Sequence, residues 1–278
     1  MANDQFHYDR SVSLDVRPVG SRQHDGWIGL ELTYATPFDR RRAATIVRPI
    51  IGGPFPAILY VHWYEPAATD SNRTQFLEEA KTMAKRGALS LLIETMWSDR
   101  EWFLKRTQAE DHRTSLEQVI ELRRAMDLLL EQPVADPERF AYVGHDFGAM
   151  YGVVMGSVDP RPSCYVLMAG TPRFPDWYLY YPRLESEARE AFIEQMAELD
   201  PIGRVGELPP APLLFQFAQD DVHVPVERAE AFFAAARNPK ELRWYDAKHG
   251  LNAEATADRI EWVTRRLGLE SPQEAHRD

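Results

Sequence analysis

The chain has 278 residues, 44% hydrophobic and 27% charged, and its 32 Lys and Arg against 43 Asp and Glu give a formal charge of −11. That balance opposes phosphate tracking, and the one compact basic run, Arg40-Arg41-Arg42, is too short for a nucleic-acid surface, so nucleic acid is set aside as a partner. The single cysteine, Cys164, excludes an intramolecular disulfide framework and a cysteine metal cluster and fits a reducing, cytoplasmic compartment, while no signal-peptide pattern or eighteen-residue apolar run points to a membrane.

No repeat or linker-like stretch interrupts the chain, so residues 1–278 read as a single domain able to bury its own core. Residues 11–17 (SVSLDVR), 27–36 (WIGLELTYAT) and 43–48 (AATIVR) alternate or are β-branched, with turn chemistry at Gly26 and Pro37-Phe38-Asp39, and predict antiparallel strands. From Pro56 the texture changes. AILYVHW is a continuous apolar run suited to a strand buried on both faces, and RTQFLEEAKTMAKRG (73–87) is a helical pattern closed by Gly87. A strand at 88–94, a long amphipathic helix at 115–133 and the strand RFAYVG follow. Strands are next expected at 164–170, 212–220 and 241–247, with helices at 225–237 and 253–267. Strand and helix alternate, which predicts an α/β fold: a mostly parallel central sheet with helices on both faces and ligands at the carboxyl ends of the strands. Residues 171–201 are too long for a simple connection, rich in aromatics and then helical, and read as a small lid.

The most specific segment is FAYVGHDFGAMYG (140–152). An apolar strand runs into Gly144-His145-Asp146-Phe147-Gly148 and then into a helix, the strand, sharp turn and helix of a nucleophile elbow with Asp146 at its apex. After PLLFQFA comes Gln219-Asp220-Asp221-Val222-His223-Val224-Pro225, and after ELRWYDA comes Lys248-His249-Gly250. A lone Asp221 or His249 would mean little. Together with the elbow, each after its own strand, they resemble the α/β-hydrolase superfamily, whose order of nucleophile, acid and histidine is matched by Asp146, Asp221 and His249. The resemblance covers the chain from about Pro56 onward. It implies an enzyme with a small-molecule substrate and no cofactor. The absence of H-E-x-x-H, paired cysteines and a Gly-rich phosphate loop agrees in pointing to no metal. Neither membrane nor oligomeric partner is indicated, and a dimer stays open.

A carboxylate at the elbow is ionised at neutral pH and needs no deprotonation before attack. His249 would activate the water that releases the covalent intermediate, and Asp221 would orient it. Such a nucleophile suits a saturated carbon, so the residue type predicts a covalent ester from an epoxide or a carbon–halogen bond, as in the aspartate-using members of the superfamily. The resemblance places backbone oxyanion donors at Phe147 and at Trp63 or Tyr64, in the loop His62-Trp63-Tyr64-Glu65-Pro66, where a glycine is more usual than Trp63. His62 is expected to brace that loop and His145 to pack behind the elbow. Phe147 lacks the indole that commonly follows the nucleophile in haloalkane dehalogenases, which favours the epoxide. Tyr178, Tyr180 and Tyr181, near Trp177 in the lid, are candidate O–H donors to its oxygen. Glu94 and Trp97 complete the substrate-side candidates. The loop, the short lid and the phrases FLEEAKTMAKRGALSLLIE and LRRAMDLLLEQP look closer to the dienelactone-hydrolase-like branch, which handles esters and lactones through Cys or Ser. Three readings therefore stand beside the first: an esterase or lactonase in which Asp146 replaces the usual nucleophile or acts as base on water, a non-catalytic binding protein on this fold, and an Asp146 introduced in place of Ser or Cys.

Overall fold

The computed structural model describes residues 4–70 and 72–269. Strands β1 (Arg17–His24), β2 (Trp27–Ala35) and β3 (Arg41–Arg48) form an antiparallel meander, and β3 joins β5 (Leu89–Ile93) antiparallel. The remaining strands, β4 (Phe55–Val61), β6 (Ala135–His145), β7 (Cys164–Met168), β8 (Leu213–Ala218) and β9 (Lys240–Tyr245), are parallel to β5. Among the described residues these make one nine-stranded sheet in the order β1-β2-β3-β5-β4-β6-β7-β8-β9. With both faces covered by helices and a mostly parallel sheet, this is the α/β-hydrolase fold.

The two-residue period of an extended chain explains the continuous apolar runs. Ala57, Leu59 and Val61 of β4 enter one core layer with α3 (Gln108–Leu130), α4 (Phe147–Val158) and α8 (Val226–Ala235). Ile58 and Tyr60 enter the other, with α1 (Leu77–Lys85) and α9 (Ala253–Arg266). Strand β7 divides in the same way, and its Cys164 lies buried in the second layer, where burial pushes the thiol up to about 12. Cys164 is therefore an inert packing residue. Chain connectivity fixes where the loops gather. From β4 the chain crosses by α1 to β5 on one side, then by α3 to β6 on the other, so the carboxyl ends of β4 and β6 adjoin where the strand order reverses.

Two expectations are corrected. The first strand does not occupy 11–17, because the Asp9 carboxylate accepts from both the N–H and the hydroxyl of Ser11, the Ser13 hydroxyl accepts from the Asp15 N–H, and Asp15 takes φ 39°. These side chains hold the backbone in turns, and pairing begins only at Arg17, in a strand exposed throughout. The long helix starts at Gln108, about two turns before its apolar stripe, since Asp111 of that first stretch is buried against Arg106. Within 171–201 the chain forms α5 (Pro175–Tyr178) and α6 (Ser186–Met196), with α7 (Pro201–Arg204) just beyond. Arg106 holds this segment from beneath. Its guanidinium donates to the carbonyls of Tyr178 and Tyr181, pairs with Asp111 and lies over the rings of Phe103 and Tyr178. No helix among the described residues is long and apolar enough to cross a membrane.

Candidate active site

Asp146 follows the last residue of β6 and precedes α4 with φ 53° and ψ −115°, a conformation that is strained for a residue with a Cβ. The turn is tight enough that its glycines are obligatory. A Cβ on Gly144 would lie 2.4 Å from the Gly148 carbonyl oxygen, and one on Gly148 would lie 2.2 Å from that of Val61 in β4. Close approach of α4 to the ends of β4 and β6 thus lifts the Asp146 side chain to the head of the sheet.

Asp221 and His249 come from the loops after β8 and β9. His249 Nδ1 donates to Asp221 Oδ2 at 2.8 Å, and Asp221 Oδ1 accepts from the N–H groups of His223 and Val224 at 2.8 and 3.1 Å. All three side chains are buried, at 2%, 7% and 6% exposure for Asp146, Asp221 and His249. Burial favours the neutral acid for Asp221, but the His249 hydrogen bond and the two N–H donors outweigh it and hold its carboxyl below the usual range. Burial likewise draws His249 down, and the Asp221 hydrogen bond with the charges of Asp146 and Asp221 raises it above its ordinary value overall. Asp146 goes the other way. Desolvation pushes its carboxyl up to about 7 against the opposing charge of His249 and the N–H groups of Phe147 and Tyr64, which are directed at the carboxylate. Asp146 Oδ1 and His249 Nε2 have no hydrogen-bonding partner among the described residues, and both residues line one cavity of about 320 Å³.

The cavity wall is aromatic and includes Trp63, Tyr64, Phe103, Phe147, Trp177 and His223. Of the two backbone donors considered in the loop after β4, only Tyr64 serves, because the Trp63 N–H already donates to Gln75 Oε1 at 3.1 Å. The Trp63 indole, standing where a glycine was expected, stacks on His145 with ring centroids 5.0 Å apart and packs against His249 at 5.0 Å. His145 is held neutral by burial and by His249. Its Nε2 donates to the His249 carbonyl at 2.9 Å while Nδ1 accepts from Gln75 Nε2 at 2.6 Å. Gln75 therefore ties the loop after β4, the elbow and the histidine loop together. Nothing in its spacing marks it in the sequence.

Several expected substrate-side residues lie elsewhere. Tyr178 is fully buried, its hydroxyl bonded to that of Tyr151 at 2.5 Å, which also meets Ser115 Oγ at 2.7 Å. Tyr180 and Tyr181 are half exposed and outside the cavity wall. Glu94 accepts the Ala43 N–H at 2.8 Å and so ties β3 to the end of β5. Trp97 is buried behind Phe147, stacked on Tyr151 and donating its indole N–H to the His62 carbonyl at 3.0 Å. His62 Nδ1 donates to the Trp63 carbonyl at 2.8 Å and Nε2 meets Ser98 and Thr95, so it braces the loop from below. The cavity instead holds four residues the sequence did not single out as candidates, Glu65, Pro66, Phe103 and His223. The His223 ring lies 5.2 Å from that of His249 and 5.1 Å from that of Trp177. Trp177 lines the cavity, and its indole N–H is buried without a partner among the described residues. No three His, Cys, Asp or Glu of the described residues are placed to hold a metal.

No family model matches this chain, and no curated protein matches it. Solved structures do. Acetyl xylan esterase 1 from Thermoanaerobacterium sp. JW/SL YS485 superposes with a TM-score of 0.74 at 15% identity over 95% of this chain and 92% of its own. A protein assigned as a dienelactone hydrolase from Klebsiella pneumoniae subsp. pneumoniae MGH 78578 gives 0.64 at 14% identity over 87% and 98%. The 2,6-dihydroxy-pseudo-oxynicotine hydrolase gives 0.67 at 15% identity over 85% and 67%. At these identities the likeness establishes the α/β-hydrolase fold and leaves the chemistry to the site.

Proposed function

We propose that this chain is a hydrolase of small, weakly polar esters or lactones whose leaving group is acidic, an aryl or enol oxygen, with Asp146 as covalent nucleophile. The observation that carries the reading is the meeting of Asp146 Oδ1 and His249 Nε2, both unpartnered among the described residues, with Asp221 behind the histidine, at one aromatic cavity. A carboxylate attacks without first losing a proton, so His249 starts as imidazolium, which the charges of Asp146 and Asp221 favour. The Asp146 oxygen adds to the carbonyl carbon, the C–O bond to the leaving group breaks, and His249 Nε2 protonates the departing oxygen. That leaves a mixed anhydride on Asp146 and a neutral His249. The imidazole then takes a proton from water, which attacks the Asp146 carboxyl carbon; the bond from that carbon to the bridging oxygen breaks, the product leaves as its carboxylate, and the carboxyl left on Asp146 returns its proton to solvent. The N–H groups of Phe147 and Tyr64 are directed at that carboxyl and would stabilise the oxyanion formed on it. A carboxylate expels a phenolate or enolate far better than an alkoxide, and this sets the leaving-group class. The fold's likeness to an acetyl xylan esterase and to a protein assigned as a dienelactone hydrolase supports ester substrates.

The N–H groups aimed at the nucleophile's own carboxylate also favour a second reading, in which an epoxide or carbon–halogen carbon is attacked and an alkyl ester forms at Asp146. Its expected phenol donors do not reach the cavity, where the buried, unpartnered Trp177 indole N–H could assist a leaving group.

A pH–rate profile with a series of aryl acetates tests the first reading. It requires Asp146 ionised and His249 protonated, so kcat/KM should fall on both sides of neutrality. The acid limb reflects a carboxyl near 7 and the alkaline limb the loss of the imidazolium, as macroscopic values of a coupled pair. Rates should also fall steeply as the leaving group becomes more basic. An alkaline plateau with little leaving-group dependence would instead mean that His249 works as a base in the first step. Epoxide conversion without any ester turnover would select the second reading.

A further inference from the structure

A second cavity, of about 330 Å³, lies in the lid between α5, α6 and the start of α8. Four arginines line it, Arg173, Arg183, Arg189 and Arg228, with Asp176 as the one acidic residue of its wall. It shares no residue with the catalytic cavity, although Asp176 and Tyr180 of its wall adjoin Trp177, which lines that cavity. In a chain of net charge −11, four guanidinium groups around one cleft repel one another unless a counter-charge is present. The protein supplies little. Arg228 reaches Asp176 only at 3.3 Å, and Arg173, Arg183 and Arg189 form no ion pair among the described residues. Asp176 Oδ2 is buried and lacks a hydrogen-bonding partner. Elsewhere in this molecule arginines are paired closely, as Arg40 is with Glu117 and Glu121 and Arg161 with Asp127 and Asp159.

Planar guanidinium forks match the oxygens of carboxylates and phosphates two at a time, and several converging forks select ligands of more than one negative charge. From these four arginines around one cleft, three of them without an ion pair among the described residues, we infer that the cleft binds a free, small polyanion, a phosphate or a di- or tricarboxylate, at a site separate from the catalytic cavity. Because Asp176 is adjacent to Trp177, occupancy would also hold α5 and with it the wall of the catalytic cavity.

Calorimetric titration with inorganic phosphate, pyrophosphate and citrate at constant ionic strength tests this, with acetate as monovalent control and phosphatidylserine vesicles to separate a lipid headgroup from a free ion. One polyanion should bind with one-to-one stoichiometry at least tenfold more tightly than acetate. At a concentration a hundred times its Kd it should raise the melting temperature by about 5 °C. The double substitution Arg173→Gln and Arg189→Gln changes exposed side chains and should weaken binding at least tenfold without altering the melting temperature of the free protein. Binding unchanged in the double variant, equal affinity for acetate, binding to the vesicles alone, or no binding would each overturn the proposal.

Discussion

Replacing Asp146 with asparagine is expected to lower kcat for aryl esters by roughly 10⁴-fold or more, the scale of losing a covalent nucleophile, while making the protein more stable at alkaline pH. The loss follows from the mechanism, since an amide of nearly the same shape keeps the elbow but cannot expel a leaving group. The gain follows from burial. The Asp146 carboxyl rises from an ordinary 3.8 to about 7 in the folded protein. The native state thus holds this proton more tightly than the unfolded chain does. Below about pH 3 both states are protonated and the group is neutral toward stability. As pH rises toward 7 the unfolded chain ionises first, and folding loses up to about 4 kcal/mol. Asparagine removes this charge, so urea unfolding should show Asp146→Asn above the parent at pH 8 and level with it near pH 3. A stability difference that does not vary with pH would show that Asp146 is not a desolvated acid in the folded state.

Replacing His249 with glutamine should separate the two half-reactions. An acidic phenol depends least on the His249 proton, so with its acetate the first step is slowed but not lost, whereas the water that clears Asp146 loses its base. A burst of about one phenolate per enzyme should precede a steady rate lowered by about 10³-fold or more, within the range for removing a general base. Hydroxylamine added during the burst should convert Asp146 to its hydroxamate, which peptide mass analysis locates. With an epoxide substrate the same variant would instead accumulate a stable alkyl ester. Absence of both burst and adduct would place His249 in the first step alone.

The site's centre was legible because each of its three residues sits at a point where the chain must change direction after a strand of the sheet. At such points residue type and backbone geometry constrain one another, as Gly144 and Gly148 show by leaving no room for a Cβ. The parallel sheet was legible for a similar reason: strands such as AILYV, covered on both faces, must be apolar throughout. What failed to show was direction. Composition gathers aromatics in 171–201, but only packing decides that Tyr178 turns into the core onto Tyr151, that Tyr180 and Tyr181 remain outside the cavity wall, and that Trp177 faces the cavity. Glu94 was misread likewise, because its position at a strand end says nothing of the Ala43 N–H that claims it. Gln75 left no signal, since it acts through partners distant in sequence. The first strand was misplaced because Asp9, Ser13 and Asp15 impose turns on a segment whose side chains alternate.

The central claim is that Asp146 itself carries the reacting bond and that water cleaves the intermediate at the Asp146 carboxyl carbon. Enzyme in excess over an aryl ester, mixed in ¹⁸O-water for a single turnover and digested, tests it most directly. The mechanism predicts one ¹⁸O atom in the side chain of the Asp146 peptide and none in the first-turnover product acid. Label found entirely in the product, with Asp146 unlabelled, would contradict it.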